Sequence, residues 1–256
     1  MLATDLALLK EAAREAGVIA TRYFSAKPHV WEKPDGAGPV TEADLAVDAM
    51  LRERLTAARP RYGWLSEETA DTPDRLATQT QFIVDPIDGT RSFIEGSKDW
   101  AHSLAIVRDG VVQAAVVFLP MRRQMFTAHL GGGAALNGQP LRIRALPQTP
   151  TILTARPNLD AAHWKNGAPP PLERHFRSSL AFRMCLVAHG QFDAMLTLRP
   201  SWEWDIAAGA LILTEAGAKV TDRTGADLRF NGPSALLNGV IAAGADLHEQ
   251  LASNLI

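Results

Sequence analysis

The stretch Phe82–Phe93, FIVDPIDGTRSF, decides how the chain is read. A short apolar run ends in Asp85 and Asp88, three residues apart, with Gly89 and Thr90 at once behind them. FIVD bounded by turn residues reads as a four-residue buried strand. Pro86 fixes the backbone between the aspartates and Gly89 permits a tight turn. In the plainer reading, Asp85 ends a strand and Asp88 caps a helix. In the other, the extended-then-turned DPID aims both carboxylates and the Ile87 carbonyl at one point. Oxygen ligands of that kind suit Mg²⁺, which keeps waters for a substrate to replace. Residues Gly89 to Ser92 then begin a helix whose free N–H groups and dipole favour an anion such as phosphate. Metal ligands abutting a phosphate cradle point to phosphoryl transfer or phosphate hydrolysis.

Three further acidic places accompany this stretch: Asp44, the pair Glu67-Glu68, and Asp205. Each also has a structural reading. Asp44 lies three residues after Thr41 and completes a capping box. Glu67 and Glu68 suit a solvated loop, and Asp205 stands where an N-cap would precede IAAGALILTEAG. Like charges about 4 Å apart repel by roughly 4 kcal/mol at an effective dielectric near 20. Four such regions brought together need cations or must take up protons.

Around these residues the chain reads as an ordinary globular protein. Its 256 residues are 46% apolar and 21% charged, with a net charge of -2, enough for one large domain or two lobes. No basic footprint for nucleic acid or an anionic membrane is present. The single cysteine, Cys185 in MCLVA, reads as a buried thiol. The start, MLATDLALLKEAAREAG, is neither signal peptide nor membrane span, so a cytoplasmic protein is expected. Leu2, Leu6, Leu9, Ala13, Ala16 and Ala20 form the apolar face of an opening helix. EKPDGAGPV, Glu32 to Val40, reads as a loop, and Thr41 opens a second helix with Leu45, Leu51 and Leu55 towards the core. A hairpin turns at Asp109-Gly110, and the sheet continues through MFTAHL and LRI. From Pro147 strands and helices alternate. The expected division is residues 1–146, an α+β lobe with most of the acidic residues, and 147–256, an α/β lobe that completes the site.

VTEAD, LSEET, VDPIDGTRSF and WEWDIAAGALILTEAGAKVTD occur in order within residues 33–222. Together they resemble the inositol monophosphatase superfamily of Mg²⁺-dependent, lithium-sensitive phosphomonoesterases. The resemblance implies a layered αβαβα sandwich with the site between the lobes, and two or three Mg²⁺ ions per site. By the same resemblance the metal ligands are Glu67, Asp85, the Ile87 carbonyl, Asp88 and Asp205. Gly89 and Thr90 hold the phosphate, Asp44 pairs with the Thr90 hydroxyl to orient an attacking water, and Lys33 lies near the phosphate. Glu67 takes part in activating that water, and Asp205 also borders the substrate. The implied reaction is direct hydrolysis with no phosphorylated residue, no histidine and no cysteine. His102 and His189 are expected to be structural or surface groups. The resemblance also implies a small-molecule phosphate ester as partner, and a homodimer or a monomer.

Two departures bear on the substrate. Leu198 stands seven residues before Asp205, where inositol-specific members place a glutamate against ring hydroxyls. Leu65-Ser66 precedes the glutamate pair where those members commonly have glycine. LSEE, and SSLAF at Ser178 to Phe182, are similar to the 3'(2'),5'-bisphosphate nucleotidase branch. The expected substrate is therefore 3'-phosphoadenosine 5'-phosphate. MCLVA and TEAGAKVTD favour the alternative, an inositol-1-monophosphatase or a broad sugar and polyol phosphatase. A third reading is a non-catalytic relative that binds nucleotide or metal. Closure of the Glu32 to Val40 loop over substrate is a further expectation, suggested by its glycines and prolines.

Overall fold

The computed structural model describes residues 2–26, 28–36 and 38–256, with the side chains of 2, 3 and 35 left aside. Helix α1 is Leu2–Ala26, and Leu9, Ala13, Ala16 and Ala20 on its expected face are fully buried. The Leu2 side chain lies outside the described residues. Strands β1, Val30–Glu32, and β2, Pro39–Thr41, pair as an antiparallel hairpin. The expected Glu32 to Val40 loop is therefore partly strand, with Lys33 N–H closing the tip on the Gly38 carbonyl at 2.8 Å. Helix α2, Glu42–Ala58, buries Ala43, Val47, Leu51 and Leu55. Leu45 is 45% exposed, against expectation, because it stands two residues from both Ala43 and Val47 and so falls on the opposite side of the helix.

Seven strands make the first sheet, in sequential order. They are β3 Gly63–Ser66, β4 Thr80–Asp88, β5 Ala101–Arg108, β6 Val111–Leu119, β7 Gln124–His129, β8 Ala134–Leu136 and β9 Gln139–Pro140. Asp109 and Gly110, both at positive φ, turn β5 into β6 as a two-residue hairpin requires. The expected four-residue strand FIVD is nine residues long and runs through both aspartates. LRI is not a strand: Leu141 N–H bonds the Ala134 carbonyl, but Ile143 N–H crosses to the carbonyl of Ala216. A short helix, α3, Thr90–Ile94, follows β4.

The second sheet uses β10 Thr151–Thr154, β11 Glu173–His175 and β12 Ala194–Thr197 as parallel neighbours. Helices α4, Leu180–Ala188, and α5, Glu203–Glu215, flank the short strand β13, Ser201–Trp202. Strands β14 Lys219–Thr221, β15 Leu236–Leu237 and β16 Val240–Ala243 follow, and helix α6, Ala245–Asn254, ends the chain. The order is β11-β10-β12-β16-β14, while β13 and β15 form a separate pair.

Three apolar clusters stack these elements. One packs α1 and α2 on one face of the first sheet through Leu9, Leu51, Phe82 and Val116. The largest fills both sides of α4 and α5, joining Ile83, Ala105 and Phe126 of the first sheet to Met195 and Ala242 of the second. The third packs α6 on the far face of the second sheet, with Trp164, Leu196, Leu247 and Leu251. The result is the expected αβαβα sandwich. Near-continuous apolarity in α4 and α5 has a simple cause: each is covered by a sheet on two sides.

Candidate active site

The geometry starts from a β-bulge. β4 pairs with β5 as far as Asp85↔Ser103 and resumes at Asp88↔Ala101, so Pro86 and Ile87 together oppose His102. Pro86 has no N–H to lose there. The fully buried His102 places Nδ1 against the Pro86 carbonyl, pinning the bulge. Ile87 sends its side chain into the α1–α2 cluster, while its carbonyl lies 3.2 Å from the Thr90 hydroxyl. Gly89 then adopts φ 100°, and a Cβ there would stand 3.1 Å from the Asp99 carbonyl. Glycine is thus required by both conformation and space. The N–H groups of the first α3 turn have no intrahelical partner by construction.

Asp88 does not cap α3; it caps α4 from across the molecule. Its carboxylate accepts from the Ser179 hydroxyl at 2.5 Å and from the N–H groups of Ala181 at 2.7 Å and Leu180 at 3.3 Å. Asp205 is not an N-cap either, since Trp202 holds that position and Asp205 lies within the first turn of α5. Asp85, Asp88 and Asp205 each offer an oxygen within 4.8 Å of the others. Asp85 is buried, and among the described residues no N–H or hydroxyl donates to either of its oxygens, which meet the Asp205 carboxyl instead. Burial, then the charges of Glu67, Asp88 and Asp205, push its carboxyl well above the usual range. Burial likewise raises Asp88, to about 6, against the hydrogen bond from Ser179. Uncompensated buried oxygens in an all-oxygen donor set fit a hard divalent cation, which would replace both the missing bonds and the missing charge.

β3 and β4 run parallel with Ser66 opposite Val84, and Glu67 N–H bonds the Val84 carbonyl at 3.2 Å. Glu67 therefore emerges beside Asp85. Both Glu67 and Glu68 accept from Lys33 Nζ at 2.7 Å, so the pair is not a freely solvated one. Burial works against the Lys33 charge, but the two glutamates outweigh it and hold the ammonium above its ordinary range. Glu68 is raised to about 7 by burial and by Glu67. At Asp44 both sequence readings hold together. One oxygen, Oδ2, accepts the Thr41 N–H at 2.9 Å in the capping box, and the other accepts the Thr90 hydroxyl at 3.1 Å. Burial lifts Asp44 to about 6 in spite of these bonds.

All the expected site residues thus meet around β4. The residues used to argue substrate serve packing and positioning instead. Leu198 is 3% exposed and packs with Leu196 and Trp164 in the α6 cluster, so its identity answers to core packing. Ser66 donates to Asp48 at 2.5 Å, tying the glutamate loop to α2. Ser179 of SSLAF anchors Asp88 and caps α4 with its hydroxyl on Phe182 N–H. Sequence reasoning missed Ser179 and His102 as positioning groups, since their partners lie 91 and 16 residues away. It also missed the indoles of Trp202 and Trp204, stacked at 4.7 Å beside Glu67 in a cavity of about 290 Å³.

A model of the inositol monophosphatase family matches residues 1–255. The chain is 33% identical over 237 residues to an inositol-1-monophosphatase of Rhizobium meliloti, covering 86% of each chain. It is 32% identical over 245 residues to the Nus factor SuhB of Escherichia coli, covering 91% of this chain and 88% of that one. The solved extragenic suppressor protein suhB from Bartonella henselae superposes with a TM-score of 0.83 at 28% identity, over 98% of this chain and 97% of the other. No helix among the described residues is long and apolar enough to cross a membrane.

Proposed function

The chain belongs to the inositol monophosphatase family of metal-dependent phosphatases, and from that premise we propose that it hydrolyses a small phosphate monoester with Mg²⁺ as the metal. The observation that carries this reading is Asp85: two buried oxygens, without an N–H or hydroxyl donor among the described residues, grouped with Asp88 and Asp205. Glu67, Asp85, the Ile87 carbonyl, Asp88 and Asp205 would hold the metal. When bound, it supplies an acidified water and a counter-charge for the ester oxygen that leaves.

The chain's own groups then act on water and phosphate. Gly89 and Thr90 present helix-start N–H groups to the phosphate oxygens. The Thr90 hydroxyl has one proton and two acceptors within reach, Asp44 Oδ1 at 3.1 Å and Ile87 O at 3.2 Å. Donating to Asp44, it keeps lone pairs free to accept from the attacking water. Asp44, near 6 through burial, is a base suited to neutral pH. Lys33 ties the β1–β2 hairpin to Glu67 and Glu68 beside this centre. Asp88 draws the α4 N-terminus onto the β4 aspartates, so the centre exists only with both sheets in place.

For the carbon skeleton, the inositol-1-monophosphatase relatives support an inositol phosphate. The residues that argued for 3'-phosphoadenosine 5'-phosphate are engaged in packing and positioning. The test is phosphate release from inositol 1-phosphate and p-nitrophenyl phosphate with Mg²⁺ and with EDTA, in the wild type and in Asp88→Asn. Turnover that survives EDTA and the substitution would sink the proposal.

A further inference from the structure

The edge of the second sheet beside the aspartates carries arginines that the hydrolytic step does not use. β10 and β12 are parallel neighbours, with Thr154 opposite Leu196, so both end at one edge. Two residues beyond each strand stands an arginine, Arg156 after Thr154 and Arg199 after Thr197. The carboxyl edge of parallel strands is where α/β sheets gather ligands. Both side chains are exposed, and neither makes a hydrogen bond or ion pair among the described residues.

Arg183, one turn into α4, adds a third cation, and this one is fixed. It is 6% exposed, donates from Nη2 to the Ser178 carbonyl at 3.3 Å, and lies 4.4 Å from the Phe176 ring. Arg183 is lowered to about 10, first by burial and in part by the like charge of Arg199, with Asp88 acting in the other direction. Arg199 is also within electrostatic reach of Asp205 without forming an ion pair. Arg183 stands in the first turn of α4, whose N–H groups hold Asp88, and Arg199 acts on Asp205, so these two cations border the acidic centre, with Arg156 on the same sheet edge as Arg199. Two exposed guanidiniums without an ion-pair partner among the described residues, beside a buried third, suit an anion, and on the reading above the scissile phosphate would already be held by the metal and the α3 N–H groups.

We propose that this rim binds a second anionic group of the substrate, a phosphate or carboxylate beyond the ester that is cut. The inference rests on the phosphatase reading above and is independent of the carbon skeleton.

The experiment compares matched substrates that differ only by that group. The pairs are inositol 1,4-bisphosphate with inositol 1-phosphate, 3'-phosphoadenosine 5'-phosphate with adenosine 3'-monophosphate, and phosphoglycolate with ethyl phosphate. Wild type, Arg156→Gln, Arg199→Gln and the double variant are measured with each, with p-nitrophenyl phosphate and Mg²⁺ titrations alongside. In at least one pair the doubly anionic member has kcat/KM about 10-fold or more above its partner, as charged hydrogen bonds provide. The double variant loses that advantage through KM, while kcat, p-nitrophenyl phosphate turnover and half-saturation by Mg²⁺ hold. Equal turnover within every pair overturns the proposal. So does a change in Mg²⁺ half-saturation alone, which would make the arginines mere counter-charges for the aspartates. If p-nitrophenyl phosphate itself is not hydrolysed, the phosphatase reading fails first.

Discussion

Replacing Asp85 by asparagine sets catalysis against stability and tests the metal reading directly. In the metal-free protein, oxygens of Asp85, Asp88 and Asp205 lie within 4.8 Å of one another. Each like-charge contact at that separation costs about 3–4 kcal/mol at an effective dielectric near 20. Proton uptake limits the real cost, because the raised carboxyls prefer to neutralise rather than bear it. Asparagine keeps the shape, removes one charge and can donate to Asp88 or Asp205. A gain of about 1–3 kcal/mol is therefore expected in EDTA, or roughly 3–10 °C for a chain of this size. Mg²⁺ should stabilise the wild type, by about 2.7 kcal/mol at 100 times its dissociation constant, and the variant far less. Activity should be lost. The measurement is thermal unfolding of both proteins in EDTA and across an Mg²⁺ titration. A variant less stable than wild type in EDTA, or stabilised equally by Mg²⁺, would refute the reasoning. The pH dependence has a definite sign. Asp88 and Asp44 are raised to about 6, so the folded state holds protons that the unfolded state has released. Their stabilising contribution is present below the unfolded carboxyl range near 4 and is lost as pH rises through 6. Asp85, held well above its ordinary range by burial and by Glu67, Asp88 and Asp205, adds to that proton uptake in the wild type alone, so metal-free wild type should lose stability between pH 4 and 7 more steeply than the variant does.

Thr90→Val removes the hydroxyl on Asp44 while keeping the shape, so kcat should fall by about 10²–10⁴ with KM little changed; wild-type kcat would exclude Thr90 from water activation. Ser179→Ala should cost about 1 kcal/mol through the lost α4 cap and weaken Mg²⁺ by roughly 10–100-fold through a loosened Asp88. Calorimetric Mg²⁺ affinity equal to wild type would remove that positioning role. Leu198→Glu should cost more than about 3 kcal/mol, measured by urea unfolding, because it buries a charge beside Trp164. A stable variant with improved turnover of inositol 1-phosphate would show that the side chain faces substrate after all.

Much of this was legible in local chemistry. Pro86 and Gly89 announce a bend that brings two aspartates and a carbonyl together, and Thr41 with Asp44 announces a helix start. The 3.6-residue spacing of Leu9, Ala13, Ala16 and Ala20 announces the face that is buried. Those signals act over a few residues, so the sequence carries them whole. Leu45 and LRI misled for the same reason. Their composition suits core and strand, but which side of α2 is covered, and which strand lies beside residue 141, depends on chain far away.

The sequence by itself pointed to phosphate chemistry, through carboxylates at 85 and 88, glycine at 89 and hydroxyl at 90, and the family its longer motifs resemble made that phosphomonoester hydrolysis. Tertiary structure alone decided that Asp88 belongs to the start of α4, that His102 holds Pro86, and that Leu198 turns away from the site. It also decided that Arg156 and Arg199 share one sheet edge. Convergence of distant segments is fixed by which apolar faces stack, a sum over the whole core that no single stretch carries.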